Sequence, residues 1–260
     1  MQFRVLGSGS RGNASLLWAG DRLLLVDAGL TIRSLNERLD EARVGFRGID
    51  HVVVTHGHLD HARSAGIVAK RHGAVLHCAD TIRQHRALSR APEHASLTAG
   101  EPHRIDGGGS GEITIDALRV PHDCDPTFAL RFESDGRALA LVTDMGEPRD
   151  DVAKAFTDAH VVVVEANHDP GMLARGPYPD ALKARVAGPG GHLSNEQMGS
   201  MLERLAGPRT HTVVLAHLSA KNNLPGLAVE AAERALLRAG RTGVRIVVAT
   251  QDTPTETIDA

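Results

Sequence analysis

Four side chains that can bind metal ions crowd together at the end of one apolar segment. The stretch VVVTHGHLDH, residues 52–61, places His56, His58, Asp60 and His61 after three valines and a threonine. Titratable groups this close repel one another when charged and resist burial unless something pairs with them. The stretch could be a solvated, histidine-rich turn, but we favour a cation that organises it.

Further ligand residues follow other apolar segments. His122 follows ITIDALRV and a proline, Asp144 follows LALVT, and His217 follows VVLA. Imidazole nitrogens and carboxylate oxygens suit zinc, and also manganese or iron. His122 or His217 taken alone could instead satisfy a local hydrogen bond. Taken together, the sequence predicts two divalent metal ions, with zinc favoured, held by seven residues: His56, His58, Asp60, His61, His122, Asp144 and His217.

The motif THGHLDH resembles the T-H-x-H-x-D-H signature of the metallo-β-lactamase superfamily, and the three later ligands match its remaining motifs in order. The resemblance covers essentially the whole chain. It implies the α/β metallo-β-lactamase fold, a four-layer αββα sandwich with a dinuclear metal site at one edge. By this resemblance His56, His58 and His122 hold one ion, and Asp60, His61 and His217 hold the other. Asp144 bridges the ions, which share a hydroxide as the nucleophile, and Asp60 is also assigned to catalysis.

Three further stretches resemble the YycJ/WalJ-like branch, which is related to the ribonuclease Z-like phosphodiesterases. They are GSGSRGNASLL, GGHLSNEQMG and LAHLSAKNN. In ribonuclease Z-like enzymes a histidine paired with a glutamate acts on the scissile phosphate and its leaving group. The matching residue here is His192, and Glu165, at the end of VVVVE, is the candidate partner. Alternatively, His192 only neighbours a helix cap and Glu165 forms a structural ion pair. Asp27 is predicted to orient a ligand histidine.

The resemblance predicts a metal-dependent hydrolase, specifically a phosphodiesterase or nuclease of the DNA exonuclease type, with nucleic acid or another phosphodiester as substrate. Tyr178, Lys183, Arg185 and Asn222 are the candidate substrate contacts. Two alternatives stay open. One is a hydrolase of carboxylic esters, thioesters or lactones with the same fold, and the other is a non-catalytic metal-binding protein.

A second group of basic residues lies in TIRQHRALSR, where Arg83, Arg86 and Arg90 recur at helical spacing. Such a stripe could contact nucleic acid or simply face solvent. The formal net charge of −3 argues against a surface covered with phosphate-binding groups.

The 260 residues, 42% of them hydrophobic, predict a single metallo-hydrolase domain over 1–260 with a core that needs no disulfides. The two cysteines form no C-x-x-C pair, which fits a reducing compartment. We expect a cytoplasmic protein without signal peptide or membrane contact, because no apolar run approaches the roughly 20 residues that span a bilayer. The oligomeric state is left open, a dimer being one option.

Apolar runs separated by Gly, Asp and polar residues predict eleven strands, within 3–9, 15–20, 22–29, 51–56, 74–78, 112–120, 127–134, 138–146, 160–167, 211–219 and 244–250. Four helices are predicted at 32–42, 60–73, 194–207 and 227–240. Gly73 is expected to end the second of these helices. A capping box from Ser194 to Gln197 is expected to begin the third.

Overall fold

The structure, a computed structural model, describes residues 1–44 and 48–260, with the backbone alone at Ser110. The chain divides into two compact units. Unit 1 comprises residues 1–117, 132–137 and 250–260, and unit 2 comprises residues 118–131 and 138–249.

Fourteen strands are present in the described part of the chain. They are β1 (Gln2–Gly7), β2 (Ala14–Ala19), β3 (Arg22–Ala28), β4 (His51–Val53), β5 (Val75–Cys78), β6 (Glu93–Ser96), β7 (His103–Asp106), β8 (Glu112–Val120), β9 (Thr127–Ser134), β10 (Arg137–Val142), β11 (Val161–Glu165), β12 (Thr212–Ala216), β13 (Arg245–Val248) and β14 (Ile258–Asp259). All eleven predicted strands are found, whereas β6, β7 and β14 were not predicted.

Eight α-helices accompany these strands in the same described part. They are α1 (Ile32–Glu41), α2 (Leu59–Ala62), α3 (Ala65–His72), α4 (Asp150–Phe156), α5 (Pro170–Arg175), α6 (Asp180–Ala187), α7 (Asn195–Leu205) and α8 (Pro225–Arg238). The predicted capping box at Ser194 is confirmed, and so is the end of a helix at Gly73, where φ is 66°. The single helix predicted over 60–73 is wrong, because it is broken into α2 and α3.

The break between α2 and α3 has a tertiary cause. In a continuous helix the Ser64 N–H would donate to the Asp60 carbonyl. Instead Ser64 N–H donates to Ala28 O at 2.8 Å, and Asp60 O accepts from Asn13 N–H at 2.7 Å. The ends of neighbouring strands therefore take both groups of the missing helical bond, and α2 remains a short turn that carries Asp60 and His61.

The first sheet belongs to unit 1 and has the order β14-β1-β2-β3-β4-β5-β6. Its strands β1 to β3 are antiparallel and β3 to β6 are parallel. A buried apolar cluster that includes Leu16, Leu25, Leu35, Val52 and Leu76 forms the core beside it. Because β3 and β4 run parallel, with Val26 opposite Val53, the residues after both strands emerge at the same edge of this sheet.

The second sheet has the order β13-β12-β11-β10-β9-β8-β7. Within unit 2, strands β10 to β13 are parallel, and Glu165 at the end of β11 lies opposite Ala216 at the end of β12. Helices α4, α7 and α8 contribute Phe156, Met201 and Ala232 to the buried core of this unit. The register therefore places Glu165 beside the residue that precedes His217.

Candidate active site

Unit 1 gathers four predicted ligands, together with Asp27, into what we call the first cluster: Asp27, His56, His58, Asp60 and His61. The ring centroid of His56 lies 4.2 Å from that of His61 and 4.9 Å from that of His58. His56 and His61 are buried, whereas His58 and Asp60 are half-buried. Several imidazoles and a carboxylate thus meet where β4 and α2 join.

Within the first cluster, the Asp27 carboxylate fixes the orientation of its neighbours by hydrogen bonds. Its carboxylate accepts the Thr55 N–H at 2.9 Å and the His61 Nδ1–H at 2.7 Å. The Thr55 hydroxyl also donates to Asp27, at 3.0 Å, which leaves the hydroxyl oxygen to accept from His56 Nδ1 at 3.0 Å. Both histidines therefore carry their proton on Nδ1, so in the neutral rings Nε2 bears the lone pair that a metal ion requires.

Backbone packing fixes α2 over the end of β3. A Cβ built on Gly29 would lie 1.6 Å from the carbonyl oxygen of Asp60, so only glycine fits there. The loop before β2 adds Asn13, whose Nδ2 lies 2.9 Å from His61 Nε2. Sequence reasoning gave Asn13 no role, although it stands in the GSGSRGN stretch that marked the branch.

Unit 2 gathers the remaining predicted residues into the second cluster: His122, Asp144, Glu165, His192 and His217. Asp144, Glu165, His192 and His217 each offer a ligand atom, and these atoms all lie within 4.8 Å of one another. His122 joins them through its ring, whose centroid is 5.1 Å from that of His192. The ends of four strands, β8, β10, β11 and β12, and the loop before α7 thus bring these side chains to one place in unit 2.

Glu165 is the centre of the second cluster. Its Oε1 accepts from His192 Nδ1 at 2.7 Å and from His217 Nδ1 at 2.9 Å, and its Oε2 accepts the Met145 and Leu193 N–H groups, each at 3.2 Å. Sequence reasoning paired Glu165 with His192 but missed its bond to His217. Because the His217 ring donates through Nδ1, its Nε2 carries the lone pair that can bind a metal ion. The same holds for His122, whose Nδ1 donates to Gly191 O at 3.0 Å.

The mutual attraction of Glu165 and His192 outweighs the effect of burial on the pKa of each group. Burial alone would raise the pKa of Glu165, but the charge of His192 and the hydrogen bonds from His192 and His217 lower it to about 2. Burial would likewise lower the pKa of His192, but the charge and hydrogen bond of Glu165 outweigh it and raise that pKa above its ordinary value. The arrangement favours an ionised glutamate and a protonated His192.

Three residues of the two clusters adopt left-handed backbone conformations at strand ends. The φ angles are 57° at Asp27, 55° at Asp144 and 56° at His217. Non-glycine residues adopt positive φ infrequently, and each such residue costs on the order of 1 kcal/mol or more. Strain that recurs at strand ends within two clusters of titratable groups is typical of a functional site.

The predicted substrate contacts are engaged in other interactions. Arg185 pairs with Asp123, with 2.5 Å between Nη2 and Oδ2. Lys183 Nζ donates to Ala174 O at 2.8 Å, and the ammonium of Lys221 lies 5.7 Å from the ring centre of Tyr178. Asn222 is 0% exposed and donates to the Ser219 hydroxyl. Their substrate roles stay predictions, and burial does not favour the one at Asn222.

No helix in the described ranges combines the length and apolar character that a bilayer crossing requires.

Comparisons with known proteins agree with this architecture. A family model described as the β-lactamase superfamily domain matches residues 22–218. Exodeoxyribonuclease WalJ of Streptococcus pneumoniae is 33% identical over 230 residues, which cover 87% of this chain and 85% of that protein. Exodeoxyribonuclease YycJ of Bacillus anthracis is 29% identical over 232 residues, covering 88% of this chain and 86% of that protein.

Among solved structures, the metallo-β-lactamase fold protein YhfI from Bacillus subtilis aligns with a TM-score of 0.72 at 19% identity, covering 98% of this chain and 99% of that one. At this identity the alignment demonstrates a shared fold alone. Together these matches confirm the predicted α/β metallo-β-lactamase fold and the predicted resemblance to the YycJ/WalJ-like branch.

Proposed function

Because the chain belongs to the β-lactamase superfamily, we propose that it is a metal-dependent phosphodiesterase that cleaves DNA. Its relatives in Streptococcus pneumoniae and Bacillus anthracis are named exodeoxyribonucleases. The single observation that carries the proposal is the hydrogen-bonded pair of Glu165 and His192 beside the predicted ligands Asp144 and His217.

The donor chemistry of both clusters fits divalent metal ions. Nδ1 bonds set His56, His61, His122 and His217 to present Nε2, and Asp144 adds a carboxylate. In unit 1, His56, His58, Asp60 and His61 would hold metal, and in unit 2, His122, Asp144 and His217 would do so. Zinc is the favoured ion, with manganese or iron as alternatives. When bound, such ions supply a nucleophile at neutral pH and neutralise charge on the phosphate.

His192 supplies the proton that the departing oxygen needs. Glu165 is fully buried and ionised, so it holds the His192 ring by Nδ1 and stabilises its charged form. The His192 side chain is 21% exposed, which leaves the ring accessible to a substrate. A charged imidazole that donates a proton to an alkoxide leaving group contributes about a hundredfold or more in rate.

The main competing function is hydrolysis of carboxylic esters, thioesters or lactones by the same ions. That chemistry has no requirement for a glutamate-charged histidine, whereas expulsion of a sugar oxygen from a phosphodiester does. A panel of single- and double-stranded DNA, RNA, bis-p-nitrophenyl phosphate and a thioester, assayed with zinc or manganese, separates the two. Cleavage confined to the thioester would replace the proposed function. Full metal loading without turnover of any ester would favour a metal-binding protein instead.

The variant His192→Ala tests the role of this residue. We expect kcat on the phosphodiester to fall about a hundredfold while the metal content, measured by plasma mass spectrometry, stays at the wild-type value. The matched variant Ser200→Ala, on the exposed side of α7, controls for general effects of substitution in this segment. A fall in metal content would instead make His192 a ligand, since its ring nitrogen lies among the four atoms that could hold an ion directly.

A further inference from the structure

A groove in unit 1 is lined in part by the segment that carries the first cluster. Its volume is about 630 Å³, and its wall begins at Leu59, the residue between His58 and Asp60 in the sequence. Arg63, Arg86 and Arg90 line it, together with His85 and two small or aliphatic side chains. None of the described residues that line the groove is acidic, so the groove is cationic in a protein whose net charge is −3.

The far wall of the groove is a packed turn. A 3-10 helix at Asp80–Ile82 leads into successive turns rather than the regular helix that the spacing of the arginines suggested. Gly66 N–H of α3 donates to Ala87 O at 2.9 Å, and a Cβ on Gly66 would approach that oxygen to 2.6 Å. Leu88 is fully buried between the two segments. Arg86 and Arg90 therefore extend from a turn that is fixed against α3.

The three arginines that line the groove differ from most of the other described arginines in their contacts, because most of those others are paired. Arg83, in the same turn, pairs with Asp80 at 3.2 Å and does not line the groove. Arg63, Arg86 and Arg90 are exposed, and within residues 1–44 and 48–260 none of them forms a salt bridge or a side-chain hydrogen bond. Guanidinium groups that share a concavity without carboxylates repel one another, and a polyanion relieves that repulsion.

We propose that this groove binds the sugar-phosphate backbone of a single DNA strand that leads away from the scissile bond. The inference rests on the proposed function, because it places the strand next to His58 and Asp60. Each guanidinium can pair with a phosphate in a forked geometry. Leu59 is 56% exposed, and a large apolar side chain beside a cationic track provides a surface for an unstacked base or sugar.

The test compares Arg63→Ala/Arg86→Ala/Arg90→Ala with the matched control Arg83→Ala, which removes one charge from the same turn outside the groove. Metal-loaded protein is titrated against a fluorescent, single-stranded phosphorothioate oligonucleotide, which resists hydrolysis, over a series of salt concentrations. Cleavage of an ordinary oligonucleotide and of bis-p-nitrophenyl phosphate is measured in parallel, and thermal unfolding checks that each variant folds.

We expect the triple variant to bind the oligonucleotide at least about tenfold more weakly at low salt. The slope of log affinity against log salt should become shallower by about two, since each lost contact to a single strand contributes about 0.7. The specificity constant for the ordinary oligonucleotide should fall at least about tenfold further than that for the small diester. The Arg83→Ala variant should match the wild type.

Equal affinity and equal salt slope in the triple variant would overturn the inference while leaving the proposed function intact. A loss shared equally by Arg83→Ala would also overturn it, because it would reflect overall charge rather than the groove. If the wild type cleaves the small diester and binds no oligonucleotide, the groove has a different occupant and the inference fails. If the wild type cleaves no phosphodiester at all, the proposed function itself fails.

Discussion

Strand β4 begins and ends beside histidine clusters of opposite character. Beyond its end, in the first cluster, His56 is hydrogen-bonded to Thr55 and His61 to Asp27. At its start, His51 Nδ1 lies 2.9 Å from His77 Nε2, and His77 Nδ1 lies 2.9 Å from His103 Nε2. We call these three residues the histidine chain. One group of histidines is bonded to a carboxylate and a hydroxyl, whereas the other is bonded to itself.

The difference shows what makes a histidine cluster a candidate metal site. In the histidine chain the ring nitrogens satisfy one another, and His77 uses both of its nitrogens in doing so. Within the described residues, the histidine chain is not among the groups whose ligand atoms lie close enough together to hold a metal ion. In the first cluster Asp27 accepts a hydrogen bond from His61 Nδ1–H, so the lone pair on His61 Nε2 faces away from Asp27 and can bind a metal ion. The buried carboxylate, and not the number of histidines, separates the two.

Replacing one histidine of the first cluster and one of the histidine chain should give the largest difference in metal content and activity. We expect His58→Ala to lose bound metal and to lower phosphodiester hydrolysis by more than about a hundredfold, because a proposed direct ligand is removed. His103→Ala, its counterpart in the histidine chain, should retain wild-type metal content. Plasma mass spectrometry and a hydrolysis assay on the same preparations provide the measurements. Loss of metal from His103→Ala would show that the histidine chain holds an ion.

The carboxylates next to the two groups offer a finer test. Asp27→Asn keeps the size of the side chain but weakens the acceptor that orients His61, so we expect metal affinity to fall about 10- to 100-fold. Asp50→Asn is the control at the other end, because Asp50 lies next to His51 and accepts the Leu23 N–H at 2.8 Å. Competition with a fluorescent chelator measures affinity for both variants. Equal affinities would mean that Asp27 serves folding rather than metal binding.

The sequence anticipated the first cluster better than it anticipated the connections around it. An apolar run that stops at THGHLDH predicts both β4 and the ligands, because burial and ligand chemistry are local properties of the chain. The break at Ser64 was missed because its N–H bonds to Ala28, which is distant in sequence. Strands β6 and β7 were missed because EHAS and HRID carry no apolar pattern and become strands only by pairing with a neighbour.

The same distinction applies to the second cluster. Glu165 could be linked to His192 because the resemblance pairs the histidine of GGHLSNEQMG with a glutamate, and a carboxylate at the end of VVVVE needs a partner. Its second bond, to His217, depends on the register of β11 and β12, which places Glu165 opposite Ala216. Pairing register is a property of the sheet, so no local pattern in the sequence reports it.

Acidification should lower the free energy of unfolding through the histidine chain, and an exposed histidine should contribute no such loss. Burial, helped by His51 and His103, lowers the pKa of His77 from 6.5 to about 3. Below about pH 6.5 the unfolded chain therefore binds a proton at His77, whereas the folded chain binds it only near pH 3. The free energy of unfolding consequently falls as the pH drops through this window.

The variant His77→Gln tests this pH dependence, because glutamine keeps a donor and an acceptor but cannot be protonated. Between pH 7 and pH 5 it should lose about 1–2 kcal/mol less of that free energy than the wild type. Urea unfolding at both pH values, with chelator present, measures the difference, and the exposed His85→Gln serves as control. If His77→Gln follows the wild-type curve, His77 is protonated in the folded protein at pH 5, and the histidine chain is not the neutral, self-satisfied group that distinguishes it from the first cluster.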